Sequence, residues 1–265
     1  MIIHEKSIDI SVPSEIFIKY NLNNIAFFDI ETTGFSKEED KIILISLGKY
    51  LENDIYSIKQ YFAENIEDEK NILLEFGKDI ARFDKWCSFN GIAFDEPFIK
   101  NKLYKNKLEV NLPEEHIDLY RRIRPYHKQL GLQRCNLKSV EKYLGIKRKD
   151  TIDGGLSVIL YNEYIRTRDE EIKEKILLHN YEDVLYLPKI FHLIYKMDNK
   201  SDLTIENPLT DKQEKYLIFL LKKNNINIEV DLNKISKRAA CRLIDSIIKG
   251  ERDSNSLKEI INNSY

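Results

Sequence analysis

At 265 residues, with 42 Lys+Arg against 44 Asp+Glu and a formal net charge of −2, the chain has room for one large or two modest domains and is no histone-like polycation. Its 42% hydrophobic and 32% charged residues exclude a disordered chain. No apolar run approaches the ~20 residues of a membrane span and no stretch reads as a signal peptide, so neither secretion nor membrane insertion is expected. Cys87, Cys135 and Cys241 are far apart, odd in number and outside any C-x-x-C pattern. That disfavours a disulfide framework or a cysteine-built zinc site and fits a reducing cytoplasm.

In chain order, residues 25–31 (Ile-Ala-Phe-Phe-Asp-Ile-Glu) read as a largely buried strand, and Gly34 supplies a turn. Residues 41–50 and 55–62 read as two further strands joined by a hairpin turn at Asn53-Asp54. Connections this short imply an antiparallel three-strand meander. Residues 67–84 have helical spacing, with Ile72, Leu73, Phe76, Ile80 and Phe83 on one face. A short strand at 86–90 ends at Asn90-Gly91, and Asp95-Glu96-Pro97 reads as a helix start. A fifth strand is expected near 116–119, then mostly helix to 197, with Asn136 as an N-cap and a break near Pro188. Three antiparallel strands followed by strands separated by helices predict a mixed α/β sheet of five strands flanked by helices. The expected organisation is one domain over 1–200, a linker over 201–210 around Asn207-Pro208, and a small helical appendage over 211–265. The appendage should hold helices near 211–223 and 236–249.

Three groups of polar residues interrupt this pattern. Asp29 and Glu31 stand two apart in a strand, so both side chains leave the same face. Adjacent carboxylates in an apolar strand repel and resist burial, and a divalent cation compensates them; the alternative is a strand end where polarity begins. Asp95 follows Asn90-Gly91-Ile-Ala-Phe94 at a strand-to-helix junction, as a candidate ligand or as a first-turn acid. His179 and Asp183 are four apart in a helical segment and project from one face, whether toward a site or toward solvent.

The order D-x-E, N-x3-F-D, H-x3-D resembles the three motifs of the DEDD superfamily of DnaQ-like 3′–5′ exonucleases, on the ribonuclease H-like fold. The run Phe28-Asp29-Ile30-Glu31-Thr32-Thr33-Gly34 is similar to the first motif, and Asn90, Phe94 and Asp95 match the second. With Glu96-Pro97-Phe98 and His179-Asn180, the pattern is most similar to the bacterial YprB-like branch, over roughly residues 24–195. The histidine spacing departs from the family's usual H-x4-D; H-x3-D is the spacing seen where tyrosine fills that place.

The resemblance implies a metal-dependent 3′–5′ exonuclease that hydrolyses phosphodiester bonds of DNA or RNA and releases nucleoside 5′-monophosphates. Its metal ligands would be Asp29, Glu31, Asp95 and Asp183, four hard oxygen donors suited to two Mg²⁺ or Mn²⁺ ions. His179 would accept the proton of the attacking water or orient that water. Asn90 and the Thr32-Thr33-Gly34 turn would touch the substrate, a single-stranded or frayed 3′ end. Asp118 reads as a structural residue or one behind the ligands, and His4, His127 and His192 as surface or packing residues.

Residues 121–149 carry ten basic side chains and one acid, Glu141, with Tyr126 and His127 interleaved. Arg121, Arg122 and Arg124 head the stretch as candidate phosphate contacts, against the reading of a solvated helix face. Competing functions are a metal-dependent ribonuclease or structure-specific endonuclease at the same site, and a catalytically idle nucleic-acid-binding module.

Overall fold

The apolar run that opens at Ile25 becomes the centre of the sheet. The computed structural model describes residues 1–51, 54–152, 154–200, 203–228 and 230–264. Six strands run in chain order: β1 (Ile2–Asp9), β2 (Ile25–Thr32), β3 (Ile42–Tyr50), β4 (Ile55–Phe62), β5 (Lys85–Ser88) and β6 (Glu115–Asp118). Their spatial order is β1-β4-β3-β2-β5-β6. Strand β2 pairs antiparallel with β3 (Phe28 opposite Leu47) and parallel with β5 (Ala26 opposite Trp86). A strand paired on both edges and covered on both faces has no wet side, so Ile25, Ala26, Phe27 and Phe28 are fully buried.

Strands β2, β3 and β4 form the expected antiparallel meander. Of the turn expected at Asn53-Asp54, Asn53 lies outside the described residues, and Asp54 takes a left-handed φ of 61°. The sheet has six strands rather than the expected five. The addition, β1, pairs with β4 along its whole length and is mostly exposed. An edge strand with one wet face needs no apolar run, so its sequence carries little strand signal.

Eleven helices surround or follow the sheet among the described residues: α1 (Ser14–Tyr20), α2 (Glu69–Ile80), α3 (Asp95–Lys105), α4 (Leu119–Ile123), α5 (Leu137–Tyr143), α6 (Gly154–Thr167), α7 (Glu170–Leu185), α8 (Leu187–Asp198), α9 (Asp211–Lys223), α10 (Lys237–Ile248) and α11 (Ser254–Asn263). Helices α2 and α3 cover one sheet face, where Ile72, Phe76, Ile80 and Phe98 pack on Ala26, Phe28 and Ile45. On the opposite face, α6 and α7 bury Tyr161, Tyr164 and Ile176 against Ile43, Leu44 and Phe62. Asp169 starts α7, its carboxylate accepting the Glu171 N–H at 2.8 Å. Helix α7 ends at Leu185 and α8 begins at Leu187, so the proline at 188 stands in the first turn of a new helix, where its missing N–H costs nothing.

The chain divides into two compact units: Met1–Leu119 with Glu141–Tyr195, and Tyr120–Val140 with Lys196–Tyr265. Residues 120–140, which the sequence pattern groups with the sheet, thus pack in the second unit. That unit has its own core of Leu217, Leu220, Ala240, Leu243, Ile247 and Leu257. Leu257 comes from α11, a helix beyond the two expected there. Tyr216 of α9 lies outside this core, 45% exposed and stacked on Phe219 at 6.3 Å.

Candidate active site

Alternation along β2 decides where its carboxylates go. Ala26, Phe28 and Ile30 face α2 and α3, so Asp29 and Glu31 face the α7 side. Glu31 is buried and Asp29 half-buried, near the C-terminal end of the central strand. The Asn180 side-chain amide of α7 donates to Asp29 Oδ2 at 2.8 Å and accepts the Ser46 hydroxyl at 2.5 Å. Gln60 Nε2 donates to Ser46 Oγ and to the Leu177 carbonyl, both at 3.0 Å. A fully buried asparagine therefore fixes one carboxylate oxygen through a closed polar chain.

Asp95 reaches the same place from the turn after β5. Asn90 takes a left-handed φ of 71°, which asparagine tolerates. A Cβ on Gly91 would lie 2.1 Å from Ser88 Oγ, so only glycine fits there. Ser88 Oγ accepts the Gly91 N–H at 3.1 Å, and the Asp118 carboxylate accepts the N–H groups of Asn90 (2.8 Å) and Ile92 (3.2 Å). Asp118 thus pins the turn. Ser88 Oγ also meets His116 Nε2 at 2.8 Å, and His116 Nδ1 meets Glu96 Oε2 at 2.6 Å. The turn delivers Asp95, whose Oδ1 accepts the Ile30 N–H at 3.1 Å.

The third group comes from α7. His179 is buried and Asp183 half-buried, one turn apart. His179 Nε2 stands 3.6 Å from Glu31 Oε1 and 3.5 Å from Asp183 Oδ2. Ligand atoms of Glu31, His179 and Asp183 all lie within 4.8 Å of one another. The H-x3-D spacing therefore brings both side chains of α7 to Glu31.

These carboxyls destabilise one another's charge. Burial, then repulsion by Asp95, Asp183 and Glu31, raises Asp29 well above the usual carboxylate range. Burial and the Asp183 charge do the same to Glu31. Asp95 is pushed up to about 7, chiefly by burial and against the N–H bond from Ile30, with Asp118 and Asp183 adding repulsion. Acids gathered this way, with oxygen donors and one imidazole facing inward, have the chemistry of a divalent-cation site.

The basic stretch divides on folding. Arg148, one of the ten basic side chains of residues 121–149, has a side chain only 6% exposed. It contacts Asp183 Oδ1 at 2.5 Å, Asp150 Oδ2 at 3.1 Å and Glu141 Oε2 at 3.3 Å. Burial opposes its charge, but Asp183, Glu141 and Asp150 outweigh that and hold its pKa above the usual value. Glu141 is raised to about 7, mainly by burial, with Arg148 opposing. Arg121, Arg122 and Arg124 lie in the second unit, where Arg122 pairs with Asp198 at 3.2 Å and Arg124 with Glu206 at 3.4 Å.

Thr32, Thr33 and Gly34 close β2. Thr32 Oγ1 donates to the Gly34 carbonyl at 2.6 Å, and Thr33 Oγ1 donates to Asp40 Oδ1 at 3.2 Å. A Cβ on Gly34 would meet Asp40 Oδ2 at 2.4 Å. The next residue, Phe35, is 86% exposed with its ring 6.2 Å from Phe94. Sequence reasoning passed over Phe35, Asp150 and Glu182, and gave Asn180 no role beyond its place beside His179. The available signal was an aromatic in a polar turn, and polar residues beside the motif positions of α7.

Set against known proteins, residues 26–195 match the family model described as the RNase_H superfamily. A curated relative, the uncharacterized protein YprB of Bacillus subtilis (strain 168), is 31% identical over 187 residues, which cover 69% of this chain and 45% of that one. The chain therefore spans less than half the length of that relative. Among solved structures, the family B DNA polymerase of the hyperthermophilic archaeon Pyrobaculum calidifontis aligns with a TM-score of 0.49 at 14% identity, covering 86% of this chain and 27% of that one. The zinc-bound E. coli ExoI–ssDNA complex aligns with a TM-score of 0.38 at 15% identity, covering 66% and 43%.

Proposed function

This chain belongs to the RNase_H superfamily, and from that premise we propose that it is a metal-dependent 3′–5′ exonuclease acting on DNA or RNA. The observation that carries the reading is the convergence of acids from three separate segments on one end of the central strand. Asp29 and Glu31 come from β2, Asp95 from the start of α3, and His179 and Asp183 from α7. Asp95 held up at about 7 is a carboxyl that a nearby cation would bring back to its charged form.

The donor set fits two Mg²⁺ or Mn²⁺ ions, held by Asp29, Glu31, Asp95 and Asp183. Bound there, the ions would lower the pKa of water and neutralise charge on the phosphodiester. The chain's own groups do the rest. Asn180 holds Asp29 by one oxygen, which keeps the second for the site, and the N–H groups of Ile30 and of Asp95 itself fix the Asp95 carboxylate. His179 takes the proton of the attacking water through Nε2. The Thr32-Thr33-Gly34 turn and exposed Asn90 would contact the terminal nucleotide, and exposed Phe35 offers a face on which a base can stack. Arg121, Arg122 and Arg124 would follow the phosphates.

Among the described residues no helix is long and apolar enough to cross a membrane. The odd, widely spaced cysteines Cys87, Cys135 and Cys241 fit a reducing cytoplasm, which we include in the reading. The test is a 5′-labelled oligonucleotide incubated with Mn²⁺. A ladder shortening from the 3′ end and release of nucleoside 5′-monophosphates are expected. Internal cuts would favour a ribonuclease or structure-specific endonuclease, and intact substrate an idle binding module.

A further inference from the structure

Between α5 and α6 the chain runs Lys147-Arg148-Lys149-Asp150-Thr151-Ile152, and its three middle residues Arg148, Lys149 and Asp150 are bonded to α7. The Glu182 carboxylate accepts the N–H of Lys149 at 3.0 Å and of Asp150 at 2.8 Å. Arg148 donates to the His179 carbonyl at 3.1 Å and to Asp183 Oδ1 at 2.5 Å. These contacts set Asp150 against the imidazole. Asp150 Oδ1 accepts the Ile152 N–H at 2.8 Å, while Oδ2 lies 2.9 Å from His179 Nδ1 and 3.1 Å from an Arg148 nitrogen. The side chains of His179 and Asp150 are 5% and 2% exposed. Water therefore does not compete for the bond.

We propose that Asp150 is a positioning residue that holds the His179 ring by a hydrogen bond at Nδ1 and so turns Nε2 toward Glu31 and Asp183. A carboxylate accepts and cannot donate, so a 2.9 Å contact places the hydrogen on the imidazole nitrogen it meets. The guanidinium of Arg148 on the same oxygen stabilises the charged carboxylate. Nε2, at 3.5–3.6 Å from its two carboxylates, lies beyond an ordinary hydrogen bond to either of them. A histidine on a helix face rotates between rotamers; this one is held through Nδ1 by the buried Asp150, itself paired with Arg148. The catalytic consequence rests on the exonuclease reading of the site; the orientation of the ring does not.

The test uses the full chain with Asp150→Ala and Asp150→Asn. In the metal-free protein, two-bond ¹H–¹⁵N correlations of the His179 ring should show the Nδ1–H tautomer in wild type and its loss in Asp150→Ala. With Mn²⁺ and a 5′-labelled oligonucleotide, Asp150→Ala should lower kcat ~10²-fold with KM little changed. The rise in Tm on adding Mn²⁺ should persist. Asp150→Asn, which keeps an acceptor oxygen, should recover part of kcat. A wild-type kcat in Asp150→Ala, beside a strong loss in His179→Ala, would overturn the proposal and leave the exonuclease reading intact. Loss of the Mn²⁺ response together with kcat would overturn it in favour of a purely structural role. If wild type shows no 3′ shortening, the exonuclease reading fails on that result alone, and the tautomer of wild type against Asp150→Ala still decides whether Asp150 orients the ring.

Discussion

Asp95→Asn makes the charge crowding measurable. The Asp95 carboxyl is held up to about 7 against an ordinary value of 3.8. As pH rises through that window, the unfolded chain releases this proton first and the native protein keeps it, so native stability falls with pH. The loss is absent below about 4 and complete above about 7. Three pH units at 1.36 kcal/mol each set a ceiling of ~4 kcal/mol, of which Asp118 and Asp183 share part, so about 2–4 kcal/mol is expected. The asparagine oxygen can still accept the Ile30 N–H, so the substitution removes the charge and keeps the bond. Urea unfolding of both proteins in EDTA, from pH 4 to 8.5, reads the effect. The advantage of Asp95→Asn over wild type should grow by about 2–4 kcal/mol across that range. Saturating Mn²⁺ at pH 8 should reverse the order, because the variant has lost a ligand. A stability difference that stays constant with pH would refute the reasoning.

Three further outcomes follow from the same geometry. Gly91→Ala puts a methyl 2.1 Å from Ser88 Oγ and should cost about 1–3 kcal/mol in urea unfolding while weakening the Mn²⁺ response, because the displaced turn carries Asp95. Replacing Arg121, Arg122 and Arg124 together by Gln should weaken oligonucleotide binding at low salt and lower the salt slope by roughly one per lost phosphate contact, with turnover at saturation unchanged. His179→Ala should lower kcat by ~10²–10⁴ while keeping the Mn²⁺-induced rise in Tm.

Much of this arrangement is written locally. The unbroken apolar run before Asp29 specifies a central strand, and period two then places Asp29 and Glu31 on one face. The H-x3-D spacing puts His179 and Asp183 one helical turn apart. The Asn90-Gly91 turn is equally local, one residue with a left-handed φ and one without room for a Cβ. Other features depend on partners distant in sequence. Strand β1 is defined by its pairing to β4, so its own composition says little. The burial of Arg148 depends on Asp183, 35 residues away, and a count of charges cannot tell a cation facing solvent from one neutralised inside. Asn180 and Ser46, 134 positions apart, look like ordinary polar residues until the chain between them is folded away. The placement of residues 120–140 in the second unit is of the same kind.

The central claim is that the clustered carboxylates are a cation site, and thermal unfolding of wild type and Asp29→Asn with and without Mn²⁺ tests it most directly. Asp29 is raised by burial and by three neighbouring acids, and the Asn180 amide bonds one of its oxygens. Mn²⁺ should raise the Tm of wild type by the free energy of its binding. Asp29→Asn should lose most of that rise and, without metal, be at least as stable as wild type. Equal responses of the two proteins to Mn²⁺ would contradict the site.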